Sequence, residues 1–276
     1  MKVIKNNTVS ENRSSWLLSI SGEKDFFILS GIILIAFIFI LLQHFMEPEM
    51  GRDASLYLLL IEKWSGGGFA GVLKYWPDFW IPPLLLCGAT LLTHIGLSPE
   101  SAALTICMGC GILMPLVSFC ISHELFRDKR ISLAAAFLTA INPSIIEMSV
   151  QVQRDVPYLF IAGWCIYLIL AGIRRDKWYW WCGAGCTWGL SLLIRFEMIE
   201  FLLLLGIYFI FVLWNDRKKW FTYFRNLIIF LLCGITVMMA VLYISGTEKV
   251  ILSGYKNRIL HHLQQFNISG DREVQK

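Results

Sequence analysis

Long apolar stretches, separated by short polar connections, follow one another along most of the chain. A helix that crosses a membrane needs about 20 mostly apolar residues. The stretches that approach this length are 26–45, 101–124, 131–148, 157–173, 178–194, 198–214 and 227–245. Segment 81–97 is also apolar but ambiguous, because it is short, opens with Pro82-Pro83 and carries His94 close to its end. The pattern predicts an all-α, polytopic bundle of about seven transmembrane helices.

The placement of Lys and Arg decides whether segment 81–97 crosses the membrane, because counting it as a span reverses the side of every later loop. Short cytoplasmic loops of membrane proteins are rich in Lys and Arg. If 81–97 does not cross, the amino-terminal segment 1–25 shares one side with three basic loops, at 127–130, 174–177 and 217–225. We therefore predict a cytoplasmic amino terminus and a segment 81–97 that is re-entrant or lies at the outer interface.

This topology places residues 46–100 outside the membrane as one long first loop, and long loops usually serve a function. Residues 54–64 within it are apolar with a few polar interruptions. They predict a helix that lies on the membrane surface and ends at the glycines 66–68. Beyond the membrane domain, 26–245, the tail 246–276 is predicted to face outward and to be amphipathic.

The composition supports a membrane protein and narrows its partners. Of the 276 residues, 57% are hydrophobic and 16% are charged, against roughly 45–50% and 25% in a soluble domain. The formal net charge of +4 is small and no run of like charges occurs, so nucleic acid is not expected as a partner. The eight cysteines fall mostly within apolar stretches and are interpreted as small buried hydrophobic residues, with no metal site predicted.

The first candidate for chemistry at the predicted outer face is Asp53, which precedes the surface helix. It has two interpretations. Its carboxylate either caps the amino terminus of that helix or, beside Arg52, acts as a general base that takes a proton from an acceptor.

Two further acidic sites lie at the same predicted face. Asp155 precedes an apolar stretch and is either a helix cap or a functional carboxylate, with Arg154 beside it as a cation that can bind a phosphate. Arg195, Glu197 and Glu200 interrupt a long apolar run and predict the tip of a tight helical hairpin. Ionisable groups at membrane depth are functional candidates; the alternative is an ion pair between Arg195 and a glutamate.

The order of these features resembles the C-type (GT-C) glycosyltransferases, particularly the bacterial relatives of protein O-mannosyltransferases and of aminoarabinose transferases. Segment 52–57, RDASLY, matches the acidic motif that follows the first span in those enzymes, with Ala54 where many relatives have a second acid. Segment 82–84, PPL, matches a motif of their first outer loop, with Ile81 where a lysine is frequent. The later matches, in order, are Asn142-Pro143, Arg154-Asp155 and GLSLLIR at 189–195.

The resemblance implies a glycosyltransferase of the bacterial inner membrane. It would move a sugar from a polyprenyl-phosphate donor to a lipid, glycan or protein acceptor on the outer face of the membrane. The implied catalytic residues are Asp53, as general base, and Asp155. The implied substrate-binding residues are Arg52, Tyr57, Arg154, Arg195 and Glu197. No cofactor is assigned, and a divalent cation is the candidate cofactor.

Two other functions remain open from the sequence. Relatives of this kind usually continue through further spans, whereas this chain ends at residue 276, soon after its last predicted span. A truncated or non-catalytic membrane partner protein is therefore the first alternative. A small transporter or flippase is the second; it would show internal repeats and helices broken at mid-membrane, and no clear repeat is found.

Overall fold

The computed structural model describes residues 23–46, 53–75, 83–215 and 220–244. In these ranges the chain is helical, with no strand, as the apolar pattern predicts. The helices are α1 (Glu23–Met46), α2 (Ala54–Tyr75), α3 (Pro83–His94), α4 (Pro99–Phe126), α5 (Lys129–Ala140), α6 (Pro143–Ser149), α7 (Asp155–Arg175), α8 (Trp178–Leu192), α9 (Glu200–Asn215) and α10 (Trp220–Ile244). A 3-10 turn, Phe196–Ile199, separates α8 from α9.

Four helices, α1, α4, α7 and α10, are long and apolar enough to cross a membrane, and α5 with α6 forms one bent pair that also qualifies. The protein is therefore an integral membrane protein, and the part of the chain that the structure describes contains four or five candidate spans. The other two predicted spans correspond to α8, with 15 residues, and α9, with 16. Both are shorter than the roughly 20 residues that a span needs, so the count of seven is not confirmed.

The predicted span 131–148 is broken near its centre, where α5 and α6 meet at an angle of 53°. Proline cannot donate a backbone hydrogen bond and disfavours helical geometry in the residue before it. Here Pro143 opens α6, and the side chain of Asn142 caps that helix by accepting the backbone N–H of Ser144 at 3.0 Å. The Asn-Pro pair therefore ends one helix and begins the next.

Segment 81–97 forms α3, a helix of 12 residues, which is too short to span a membrane. Its residues Leu86 and Ala89 are fully buried against α2 and α4. The preceding helix α2 is longer than predicted, because the chain kinks at Gly68, with φ 63° and ψ −167°, and then continues to Tyr75. Only glycine adopts this conformation readily, so the glycines bend the helix where the sequence predicted its end.

Helices α8 and α10 pack with their backbones in close contact. A Cβ atom added to Gly185 would collide with the carbonyl oxygen of Phe230, and one added to Gly189 would collide with that of Gly234. Glycines four residues apart remove the side chains that otherwise separate two helices. They let Trp188 of α8 lie against the ring of Phe230, with centroids 5.4 Å apart.

Ion pairs join the basic loops at one end of the bundle. Glu124, at the end of α4, pairs with Arg174, at 2.8 Å, and with Arg175 at the end of α7. Lys129, which opens α5, pairs with Asp25 of α1 at 2.6 Å. These contacts place the loops 127–130 and 174–177 together, as the charge pattern predicts. The side of the membrane that this end faces stays a prediction, as do the domain boundaries.

Candidate active site

The opposite end of α7 carries the candidate chemistry. Asp155 opens α7 and Arg175 closes it, and a helix of 21 residues is about 30 Å long. That length matches the hydrocarbon core of a bilayer. The charged residues around Asp155 therefore lie a membrane thickness away from the ion pairs of Glu124.

Arg195 occupies the centre of this second charged group. After α8 ends, the backbone N–H of Arg195 donates to the carbonyl of Ser191 at 2.8 Å, and the residue then becomes extended, with φ −147°. Its guanidinium bonds to the Asp155 carboxylate through Nη1 and lies 3.5 Å from Glu197 through Nε. The pair between Arg195 and a glutamate was predicted as an alternative, whereas the contact with Asp155 was not.

The 3-10 turn after Arg195 is held by aromatic side chains. The indole Nε1 of Trp188 donates to the carbonyl oxygen of Met198 at 3.2 Å, and the hydroxyl of Tyr158 lies 3.7 Å from the Met198 sulfur. The Arg195 guanidinium lies 5.6 Å from the centre of the Tyr158 ring. These contacts fix the position from which Arg195 reaches Asp155. Glu200, the other acid of the predicted hairpin tip, opens α9.

Asp155 is not the cap of α7. The N-cap position belongs to Arg154, which makes no side-chain capping bond, and Asp155 is the first helical residue. A carboxylate there is favoured by the helix dipole, but its hydrogen bond goes to Arg195. The side chains of Asp155 and Arg195 are 31% and 34% exposed, so the pair lies at the boundary between the protein interior and its surroundings.

Tyr57 connects the Asp53 motif to this group. It is 1% exposed and packs in one apolar cluster with Val152, which immediately precedes the segment that carries Arg154. Burial raises the pKa of the Tyr57 phenol. Charged side chains around the ring also act on that pKa: Arg154 lowers it, Asp53 and Asp155 raise it, and Arg195 lowers it. Charged residues of both acidic motifs therefore lie near enough to Tyr57 to affect its pKa, although about 100 residues of sequence separate the motifs.

Asp53 itself is exposed at the start of α2. Its carbonyl oxygen accepts the backbone N–H of Tyr57 at 3.1 Å, which begins the helix. Within the described ranges, neither a backbone N–H nor a basic side chain bonds to the Asp53 carboxylate. The position is that of a cap, but the side-chain capping bond predicted as the alternative is not made there. Arg52 lies outside the described residues.

The segment that resembles the Pro-Pro-Leu motif approaches the same group from α3. The backbone N–H of Leu84 points to the carbonyl oxygen of Leu193 at 3.5 Å, and its side chain packs beside Leu193 and Leu242. Leu193 lies two residues before Arg195, so this contact joins a third motif to the cluster. Ile81 and Pro82 lie outside the described residues.

The two arginines of the cluster differ in what they already bind. Arg195 is engaged by Asp155 and Glu197, whereas no described carboxylate forms an ion pair with Arg154. An arginine that holds no carboxylate is the better placed to bind an added phosphate. Over the described ranges, no group of three or more His, Cys, Asp or Glu side chains is arranged to hold a metal ion.

Comparison with known proteins adds one match. Residues 81–244 match the family model described as dolichyl-phosphate-mannose-protein mannosyltransferase. The matched range is more than half of the chain; it contains Leu84, Asp155 and Arg195 and begins after Asp53 and Tyr57. No curated protein matches the chain.

Proposed function

Because the chain belongs to the dolichyl-phosphate-mannose-protein mannosyltransferase family and is thus a membrane glycosyltransferase of the GT-C type, we propose that it uses a polyprenyl-phosphate-linked sugar as donor. The acceptor is a lipid, glycan or protein hydroxyl or amine at the outer face of the membrane. Asp53 is the general base. The membrane is the bacterial inner membrane, with the amino terminus in the cytoplasm.

The observation that carries this proposal is that Tyr57, of the Asp53 motif, packs in one cluster with Val152, three residues before Asp155. A transferase of this kind needs a carboxylate free to take a proton and a cation to bind the donor phosphate. Asp53 is exposed and unbonded by the described side chains, and Arg154 has no described carboxylate partner. These two residues are therefore our candidates for the base and for the phosphate-binding cation.

The proposed reaction is a single in-line displacement. The polyprenyl tail lies in the lipid and its phosphate binds Arg154. Asp53 takes the proton of the acceptor, the acceptor oxygen or nitrogen bonds to the anomeric carbon, and the bond from that carbon to the phosphate oxygen breaks. The leaving polyprenyl phosphate keeps the electron pair, and the configuration at the anomeric carbon is inverted.

Asp155 and Arg195 have a different part in this reaction. The Asp155 carboxylate is already bonded to Arg195, whereas no described basic side chain bonds to the Asp53 carboxylate. We assign the Asp155–Arg195–Glu197 group to substrate binding, with its net negative charge directed at acceptor and sugar hydroxyls.

Asp53→Asn tests the assignment of the base. Membranes containing the variant should transfer radiolabelled sugar from polyprenyl phosphate at a rate lower by about 10²–10⁴-fold, the usual contribution of a general base. Glu62→Gln is the matched control, because Glu62 is an exposed carboxylate on the same helix and should leave transfer unchanged. Undiminished transfer by Asp53→Asn, with protein levels equal, would remove Asp53 from the role of base.

A further inference from the structure

Three cysteines meet where α8 packs against α10. Cys182 and Cys186 are one turn apart on α8 and so share a face of that helix. The Sγ atom of Cys233, on α10, lies 3.2 Å from that of Cys182. Cys186 lies close enough to interact with both of the other thiols. All three are half-buried free thiols, and the sequence interpretation of cysteines as buried apolar residues gives no reason for their meeting.

The helices that carry these cysteines are held at a fixed distance. Gly185 and Gly189 of α8 lie directly against the backbone of α10, at Phe230 and Gly234. Because backbone atoms of the two helices are in contact there, α8 and α10 cannot come closer together. A disulfide has an S–S bond of about 2.05 Å, so the thiols of Cys182 and Cys233 need to approach by only about 1 Å, which side-chain rotation supplies.

The other close pair of cysteines differs in this respect. Cys107 and Cys110 lie on one helix, α4, so a bond between them would join nothing that the helix does not already join. Cys107 is also fully buried and its thiol donates to the carbonyl oxygen of Gln153 at 3.2 Å. Cys182 lies one turn after Trp178, at the basic end of the bundle, where the membrane interface admits water and soluble reagents.

We infer that Cys182 and Cys233 form a reversible disulfide between α8 and α10 when they meet an oxidant that carries a disulfide or diazene bond. With a disulfide oxidant, the thiolate of one cysteine attacks an oxidant sulfur, forms a mixed disulfide and releases one half of the oxidant as a thiol. The thiolate of the second cysteine then attacks the cysteine sulfur of this mixed disulfide and releases the other half of the oxidant as a thiol. Two protons and two electrons pass to the oxidant, and a reducing thiol reverses the reaction.

The disulfide would act on the helix that leads to the candidate site. α8 continues directly into Leu193 and Arg195, and Leu242 of α10 packs on Leu193. A covalent bond near the other end of this helix pair fixes α8 on α10 and limits how far Arg195 can move. The inference stands whether or not the protein transfers sugars, since it depends on the thiols and the packing of the two helices.

The test uses the full-length protein in membranes, oxidised with diamide and then blocked with N-ethylmaleimide before denaturation. Trypsin releases Cys182 and Cys186 in peptide 178–195 and Cys233 in peptide 226–249. Mass spectrometry should find these peptides joined, and dithiothreitol should separate them. Cys186→Ser, which leaves Cys182 as the thiol on the α8 peptide, should keep the joined product, and Cys182→Ser and Cys233→Ser should lose it.

Two results would overturn the inference. One is the absence of joined peptides from both the wild type and Cys186→Ser, while Cys182 and Cys233 carry the N-ethylmaleimide added before denaturation, which shows that both thiols were intact and accessible. The other is equal joining in Cys182→Ser, which would show that Cys186 is the partner of Cys233. Serine is close to cysteine in size, so each variant should unfold near the temperature of the wild type under reducing conditions. Such a result shows that a lost product does not come from misfolding.

Discussion

Arg195 contacts two carboxylates that come from different parts of the chain. Asp155 lies 40 residues before it and Glu197 two residues after it. Since the charged groups are about one-third exposed, water screens each pair, and neither contact is expected to stabilise the protein greatly. The effect of these contacts is on position: the Arg195 guanidinium connects the start of α7 to the turn after α8.

A double-mutant cycle tests this connection. Asp155→Asn and Arg195→Gln should each lower the free energy of unfolding by about 1 kcal/mol, and the double variant should lose little more than either single one, because all three lack the same pair. Thermal unfolding in detergent is the measurement, and it needs no assumption about sugar transfer. Glu100→Gln with Arg130→Gln, two exposed residues near opposite ends of the bundle, is the control and should show effects near zero that add. Additive losses at Asp155 and Arg195 would contradict the connection.

For individual residues, the sequence named candidates for the site without their contacts. Asp53, Tyr57, Arg154, Asp155, Arg195 and Glu197 were named from charge, position and resemblance, and their roles stay predictions. In the structure, Arg195 contacts Asp155 and Glu197, and Tyr57 packs with Val152, three residues before Asp155. Of the two interpretations of Asp155, the cap is not observed, because Asp155 is the first helical residue and Arg154 occupies the N-cap position. The sequence did not indicate the bond to Arg195, which lies 40 residues later.

The pairing of α8 with α10 combines small residues with large aromatic ones. In lipid, close approach of helix backbones increases the packing contacts between helices, and here it also lets Trp188 lie against Phe230. Gly185 and Gly189 supply that packing on α8, and Gly234 supplies it on α10. The two glycines four residues apart are visible in the sequence, but the sequence does not indicate which helix they contact.

A pair of glycine substitutions tests this contact. Gly185→Ala places a methyl group against the backbone carbonyl of Phe230 and should lower the free energy of unfolding by about 1–3 kcal/mol, the cost of overpacking. Gly31→Ala in α1 is the matched control, because a Cβ there meets no atom within 4 Å. It should leave stability equal or higher, since alanine favours the helix by roughly 0.5–1 kcal/mol. Equal thermal unfolding temperatures for the two variants would show that α8 and α10 do not pack as described.

The bundle as a unit has two chemically different ends. One holds the basic loops, neutralised in part by Glu124, whose side chain is 2% exposed, and by Asp25. The other holds Tyr57, Asp155 and Arg195. Because α7 runs from one end to the other over about 30 Å, the positive-inside rule assigns the first end to the cytoplasm and the second to the outer face.

Cysteine labelling tests this orientation. Glu100→Cys should react with a membrane-impermeant maleimide in right-side-out vesicles, because Glu100 is exposed at the start of α4, at the outer end. Arg130→Cys and Lys177→Cys, exposed at the basic end, should react only after the membrane is permeabilised. The wild type supplies the background from its own eight cysteines. Labelling of Arg130→Cys before permeabilisation would reverse the orientation and place the candidate site on the cytoplasmic face.

The sequence alone determined the all-α membrane class, the approximate limits of most helices and the grouping of basic loops at one end. These features follow from local properties, because the length of an apolar stretch, a proline, a glycine or a charge affects the structure of the residues next to it in sequence. Only the tertiary structure decided that Asp155 bonds to Arg195, that Tyr57 packs with Val152 near the second acidic motif, that α8 packs on α10 and that two predicted spans are short. In a membrane protein, the surfaces that face lipid and the surfaces that face other helices are both apolar. The pattern of apolar residues therefore locates the helices without indicating which of them are neighbours.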